Sequence, residues 1–251
     1  LVHCLASSSV AALAGDDLAA AAAMATRYIE LGDRYKAPWR SLAYNCRGVA
    51  HLWRGRFDAA TADFEQCVAL RLETLSHFGL EPAAALYGYA VMGHERAATL
   101  YDDDYPLPVL GRDSSQGAWH WCLARVQAAV LTGRDDDAAI LLPHIEQLMG
   151  EGMRVTTAPG LTAKSAGLAA TPAATTDQHF CEATRLADTL PCHTEQAETP
   201  RWYAWALERF GAPPRSHPRA PGRRGQEVRS ARRPQPDWGT VPLTRQPVRG
   251  Q

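Results

Sequence analysis

The sequence has no apolar run close to the roughly 20 residues that a membrane-spanning helix requires. It also lacks the basic start and apolar core that mark a secretory signal peptide. It begins with Leu1 rather than Met, so we expect that a preceding region is missing. These absences predict a cytoplasmic protein without a membrane anchor.

Paired cysteine motifs are absent as well. The six cysteines are Cys4, Cys46, Cys67, Cys122, Cys181 and Cys192, and no two of them form a Cys-x-x-Cys pair. Irregular spacing in a chain of this length argues against a disulfide framework. We therefore predict free, buried thiols in a reducing compartment, and no zinc site.

Signatures of catalysis and cofactor binding are missing too. The segment APGLTAKS, residues 158–165, approaches a phosphate-binding loop, but alanine replaces both required glycines. Lys164 is therefore expected to be a solvated helix residue. The acidic runs at 102–104 and 135–137 lack the spacing of a calcium loop. We predict no catalytic, cofactor or metal site, although an enzyme with an unrecognised His/Cys/Asp site is kept as an alternative.

Lysine is nearly absent, since Lys36 and Lys164 are the only two, and the arginines are unevenly distributed. Residues 212–251 contain nine arginines, two acids and eight of the 17 prolines, whereas residues 1–211 have a net charge of −8. Because the basic charge lies outside the acidic body, nucleic-acid binding through that body is not expected. We predict two regions: a folded domain at 1–211, incomplete at both ends, and a disordered basic tail at 212–251 that is functional or a reading-frame artefact.

What the sequence does contain is a repeat of 38–40 residues. Glycine recurs at Gly15, Gly55, Gly93 and Gly133 and again at Gly211, and Thr171 occupies the skipped position. A small residue follows five positions later each time, at Ala20, Ala60, Ala98, Ala138 and Thr176. A period of this length is typical of repeat architectures, in which neighbouring units share one core.

The segments on both sides of each repeat glycine have apolar residues at helical spacing. No segment shows the alternation of apolar and polar residues that is typical of a strand. The predicted helices lie at 16–31, 39–54, 58–78, 116–131, 135–149, 159–170, 175–190 and 200–210. A short helix is expected after Gly93, and Pro143 is expected to kink or shorten its helix. The body is therefore predicted to be all-α, with antiparallel helix pairs that stack side by side.

The second unit carries Tyr44-x-x-x-Gly48, followed by Gly55, Phe57, Ala60, Phe64 and Cys67. This pattern resembles the tetratricopeptide repeat, although the period exceeds the 34 residues of the standard repeat. Two segments are similar to the C-terminal helical repeats of large bacterial signalling ATPases: HLWRGRFDAATADFEQCVAL and RLADTLPCHTEQAETPRWYAWALERFG. These ATPases include LuxR-type ATP-binding transcriptional regulators and ATPases fused to nucleotide cyclases. The resemblance covers about residues 10–211 and implies a right-handed α-solenoid of about five degenerate helix pairs.

The function expected from this resemblance is a non-catalytic scaffold that binds a protein, a peptide or a small effector. It would be a fragment or a decayed relative of a signalling ATPase, and ATP would bind only if a missing module supplied the site. A sensor region whose ATPase or cyclase modules lie outside this chain is a further alternative. In tetratricopeptide stacks the first helix of each pair lines the concave face. Counting back from each repeat position predicts these partner-binding residues: Asn45, Tyr87, His120, Gln127, Ser165, Arg201 and Trp205.

Overall fold

A computed structural model describes residues 2–37, 39–70, 80–102, 116–150, 158–170, 173–190 and 192–210. In these ranges the chain forms eleven α-helices and no strand, which confirms the all-α prediction. The helices are α1 (Val2–Ala14), α2 (Leu18–Tyr35), α3 (Arg40–Trp53), α4 (Phe57–Leu70), α5 (Leu80–Val91), α6 (Arg96–Asp102), α7 (Gln116–Leu131), α8 (Asp135–Gly150), α9 (Ala158–Ala169), α10 (Ala173–Asp188) and α11 (His193–Arg209). The predicted tail at 212–251 and the repeat positions Thr171 and Gly211 lie outside the described residues.

Proline lies within two helices, and for one of them the predicted start is wrong. Helix α8 contains Pro143 and continues to Gly150, so it is not shortened there. Helix α11 begins at His193, seven residues before the predicted start at Pro200. The additional N-terminal turns of α11 carry two acidic side chains, Glu195 and Glu198, that become important below.

The repeat glycines end the first helix of a pair. Gly55, Gly93 and Gly133 adopt positive φ angles of 69°, 64° and 77°, a conformation that glycine adopts without strain. In each case the next residue donates a backbone hydrogen bond to the carbonyl five positions earlier, as in Arg56 to His51. This bond defines the Schellman motif, which terminates a helix and satisfies its last carbonyls. At the first repeat position the positive φ belongs to Asp16 rather than to Gly15.

The recurring small residue lies in the second helix of each pair. Ala60, Ala138 and Thr176 are completely buried, as expected where two helices approach closely. In two units the buried position is shifted by one residue, to Ala21 and Ala97. A small residue is therefore buried near the repeat position in these two units as well.

The helix contacts follow one simple rule along the chain. Each helix packs against the next one, and each odd-numbered helix also packs against the next odd-numbered helix. No two even-numbered helices pack together in the described ranges. The odd-numbered helices, which are the first helices of the pairs, therefore form a contiguous face of their own.

Phe64, on α4, shows how a second helix fits between two first helices. Its ring is fully buried between Gly48 on α3 and Gly88 on α5. A Cβ atom would lie 2.7 Å from the ring at Gly48 and 2.2 Å from it at Gly88, so the ring occupies the space that a larger residue would need. The presence of glycine on both neighbouring helices thus allows the close packing of α3, α4 and α5.

Phe180 repeats this arrangement at the other end of the chain. It lies on α10, and a Cβ atom on Gly167 of α9 would be 2.6 Å from its ring. On the other side the ring stacks on Tyr203 of α11, with the ring centroids 5.2 Å apart. Phe64 and Phe180 each follow the small residue of their unit by four positions, so the sequence repeat is also a packing repeat.

Candidate functional site

A half-open cavity of about 180 Å³ lies on the face formed by the odd-numbered helices. Its lining comes from five of them, namely α3, α5, α7, α9 and α11, and from no even-numbered helix. The lining residues are Trp53, Ala83, Ala84, Tyr87, His120, Leu123, Ala124, Gln127, Leu161, Lys164, Ser165 and Glu195. The cavity therefore combines apolar walls with a few polar groups, a composition typical of small-molecule sites.

Four of the seven predicted partner-binding residues meet in this cavity. Tyr87, His120, Gln127 and Ser165 come from three consecutive first helices, α5, α7 and α9. They are far apart in the sequence and were selected as polar or aromatic residues at groove positions counted back from the repeat positions, as the tetratricopeptide resemblance implies. The helix pairing brings them to one place.

The other three predicted residues do not line the cavity. Asn45 is buried within α3. Arg201 forms an ion pair with Glu198, with 2.8 Å between Nε and Oε1. Trp205 is buried in the core, where its ring meets the ring of Trp202 edge to face. Asn45 and Trp205 are therefore buried, whereas Arg201 is partly exposed beside Glu198.

Lys164 is a cavity residue that the sequence analysis assigned wrongly. It was expected to be solvated, but it is only 3% exposed and its Nζ lies 2.8 Å from Oε2 of Glu195 on α11. A sequence signal for this burial exists, since Leu161 and Leu168 lie on the same face of α9 at helical spacing. Glu195 was missed because the helix that carries it was predicted to begin later.

Several polar groups in the cavity have unused hydrogen-bonding capacity. The Lys164 ammonium has three donors, and Glu195 is its one acceptor in the described part of the chain. The Gln127 amide and the Ser165 hydroxyl have no hydrogen-bond partner among the described residues, although these residues are only 8% and 2% exposed. Neither side chain has a polar atom that is both fully buried and without a partner, so the Gln127 amide and the Ser165 hydroxyl reach the space of the cavity, where a ligand can bond to them.

His120 and Cys122 on α7 are both held in their uncharged forms. Burial lowers the pKa of His120 to about 4, so the imidazole is neutral at pH 7. Burial raises the pKa of the Cys122 thiol to about 12, so it is not the thiolate that a nucleophile requires. Among the described residues, no group of three or more His, Cys, Asp or Glu side chains is placed to hold a metal ion.

Glu198 connects α11 to the cavity wall. The Tyr87 hydroxyl donates to its Oε2 at 2.5 Å, and Trp202 Nε1 donates to the same oxygen at 3.1 Å. Burial, followed by the nearby charge of Glu198, raises the pKa of Tyr87 well above its usual value of 10, which keeps the phenol protonated. Tyr87 therefore fixes α11 against α5 through a charge-assisted hydrogen bond.

The start of α11 is also attached to the other end of the chain. Asp16, in the turn between α1 and α2, accepts hydrogen bonds from the backbone N–H of His193 and from the Thr194 hydroxyl. A carboxylate at this position also interacts favourably with the N-terminal end of the helix dipole. The first turns of α11 thus contact the α1–α2 turn, α9 and α5, and they close one side of the cavity.

No family model, curated protein or solved structure matches the chain. None of the helices in the described ranges is long and apolar enough to cross a membrane.

Proposed function

We propose that this chain is a non-catalytic helical-repeat scaffold that binds its partner on the face of the first helices. In this proposal the five helix pairs, α1–α2 to α9–α10, form a right-handed α-solenoid of tetratricopeptide type, and α11 is the first helix of a sixth pair. The contact pattern supports it, because within the part of the chain that the structure describes first helices pack against one another and second helices do not. Such packing brings the first helices together on the concave side of a solenoid.

One observation carries the functional proposal. Among the described residues the cavity is lined by first helices alone, and it contains four residues that the repeat spacing had assigned to a binding groove. A purely structural core needs no polar groups with unused hydrogen-bonding capacity at this place, whereas a binding site does. The partner is a protein segment or a small effector that reaches the cavity from its open side.

The proposed occupant contacts aromatic as well as polar groups. The rings of Trp53 and Tyr87 lie 5.9 Å apart at the cavity, with an angle of 39° between their planes. Aromatic side chains are frequent at binding hot spots because they bury a large area with little loss of conformational entropy. As a wider role, we propose that the chain is a region or a relative of a bacterial signalling ATPase, in which a bound partner would regulate modules outside this sequence.

The proposal is tested with one substitution at two positions. Binders of the native chain are first selected from a peptide library and a metabolite library, and their affinities are measured by calorimetry. Ala84→Trp places an indole in the cavity, whereas Ala139→Trp places it on the exposed surface of α8, a second helix. We expect Ala84→Trp to weaken binding at least tenfold and Ala139→Trp to leave the affinity unchanged.

The reverse result would contradict the proposal: binders that tolerate Ala84→Trp but are lost with Ala139→Trp would place the partner on the second helices. Circular dichroism of both variants provides the control for folding. The non-catalytic part of the proposal would be contradicted by a library compound that the native chain converts to product and that the Ala84→Trp variant does not convert.

A further inference from the structure

We propose that the cavity binds a free α-amino acid with an apolar side chain, in its zwitterionic form. This inference rests on the proposed function and specifies the chemistry of the small effector. It follows from the charges, the unused hydrogen-bonding groups and the size of the cavity.

The two charged groups of the cavity lie next to each other and have opposite signs. Lys164 Nζ is 2.8 Å from Glu195 Oε2, and no other described residue accepts from this ammonium or donates to this carboxylate. Two ammonium donors and several acceptor positions of the carboxylate are therefore available. An α-amino acid carries a carboxylate and an ammonium group on one carbon, so each of its charges can face the opposite charge of the pair.

Charge balance favours a zwitterion over a simple ion. The Lys164–Glu195 pair has no net charge, and the imidazole of His120 is neutral beside it. A ligand with only a carboxylate or only an ammonium group would introduce one uncompensated charge into a partly buried site, which is unfavourable. A zwitterion leaves every charge with a partner, and the Gln127 amide and the Ser165 hydroxyl can supply further hydrogen bonds.

The remaining wall of the cavity suits an apolar side chain. Trp53, Leu123 and Leu161 contribute apolar surface. The volume of about 180 Å³ is somewhat larger than the roughly 150 Å³ of an engineered apolar cavity that accepts benzene. A phenyl or branched aliphatic group therefore fits, and the half-open form leaves room for the charged end of the ligand.

The test compares three molecules that share the same phenyl-containing body. L-Phenylalanine carries both charges, hydrocinnamate lacks the ammonium group, and phenethylamine lacks the carboxylate. We expect calorimetry with the full chain to show that L-phenylalanine binds at a single site, and that each analogue binds at least tenfold more weakly. The comparison on the native chain is decisive by itself, because it requires no variant to fold.

A double variant then locates the source of the preference. Lys164→Met with Glu195→Leu removes the pair without leaving a single buried charge, and we expect it to bind the three molecules with equal, weak affinity. Glu65→Leu with Arg96→Met removes an exposed ion pair on α4 and α6, where the N···O distance is 3.1 Å, and should keep the preference of the native chain.

Three results would overturn the inference. These are no binding of L-phenylalanine at millimolar concentration, an analogue that binds as tightly as L-phenylalanine, and a preference that persists in the Lys164→Met/Glu195→Leu variant. None of them affects the proposed scaffold function, which is decided by whether Ala84→Trp blocks the selected binders. The two proposals can therefore fail separately.

Discussion

Replacement of Phe64 by alanine is expected to lower the free energy of unfolding by about 3–5 kcal/mol, the usual range for removal of a buried phenylalanine ring. The ring is fully buried between α3 and α5 and meets Tyr89 edge to face, with 5.8 Å between the centroids. A domain is typically stable by only about 5–15 kcal/mol, so this loss is a large part of the total. Chemical denaturation with two spectroscopic probes measures it.

A matched pair of glycine variants tests the same packing without removing the ring. Gly88→Ala places a Cβ atom 2.2 Å from Phe64 Cε2, so the ring or the helix must move. We expect a loss of about 1–3 kcal/mol, the typical effect of overpacking. Gly160→Ala, also within a helix, places its Cβ atom 3.5 Å from Leu186, an ordinary contact. That variant should be neutral or gain up to about 1 kcal/mol from helix propensity.

The packing account would be wrong if Gly88→Ala and Gly160→Ala had the same stability. It would also be wrong if Phe64→Ala lost less than about 1 kcal/mol, since that value is typical of a partly exposed side chain. Either result would mean that α4 does not lie between α3 and α5 as described.

Removal of Glu195 alone should destabilise the chain by about 3 kcal/mol, because Glu195→Leu leaves the Lys164 ammonium buried without its partner. This figure is at the low end of the range for a broken buried pair, since the Glu195 side chain is 22% exposed. Lys164→Met leaves the carboxylate, which water can still reach, so we expect a smaller loss of about 1 kcal/mol. The order of the two effects follows from the different exposure of the two side chains.

The double variant completes this thermodynamic cycle. Lys164→Met with Glu195→Leu should be within about 1 kcal/mol of the native chain, because replacement of both members of a buried pair by apolar groups is often neutral. Thermal and chemical denaturation at the same pH and salt concentration provide the four stabilities. Equal losses in the two single variants, or a double variant less stable than Glu195→Leu, would show that Lys164 is not buried as described.

The all-α architecture could be predicted from the sequence because the repeat appears in two independent signals. Glycine is favoured where the chain adopts a positive φ, as at Gly55, and a small residue is favoured where helices approach closely, as at Ala60. Both requirements are local, so the residues that meet them can be recognised in the amino-acid sequence. With the groove positions that the tetratricopeptide resemblance implies, they led to seven predicted residues, of which Tyr87, His120, Gln127 and Ser165 share a cavity.

The parts that could not be predicted depend on contacts between distant segments. Pro200 was read as the start of a helix, but Asp16 binds the N-terminus of α11 seven residues earlier and allows that helix to begin at His193. Lys164 was predicted to be solvated because nothing local to α9 shows its partner, Glu195, which lies 31 residues away on α11. Trp205 was assigned to the groove by counting, although its indole packs against Trp202 in the core. Periodicity identifies a face of a helix, and tertiary contacts decide which part of that face is accessible.

The central claim is that ligands bind to the face of the first helices, and hydrogen–deuterium exchange tests it most directly. A binder selected against the native chain is added at saturating concentration, and exchange is followed by mass spectrometry over all described helices. The account predicts that the largest gain in protection occurs in α5, α7, α9 and the first turns of α11, which line the cavity. A gain confined to α4, α8 and α10, with the cavity helices unchanged, would contradict it.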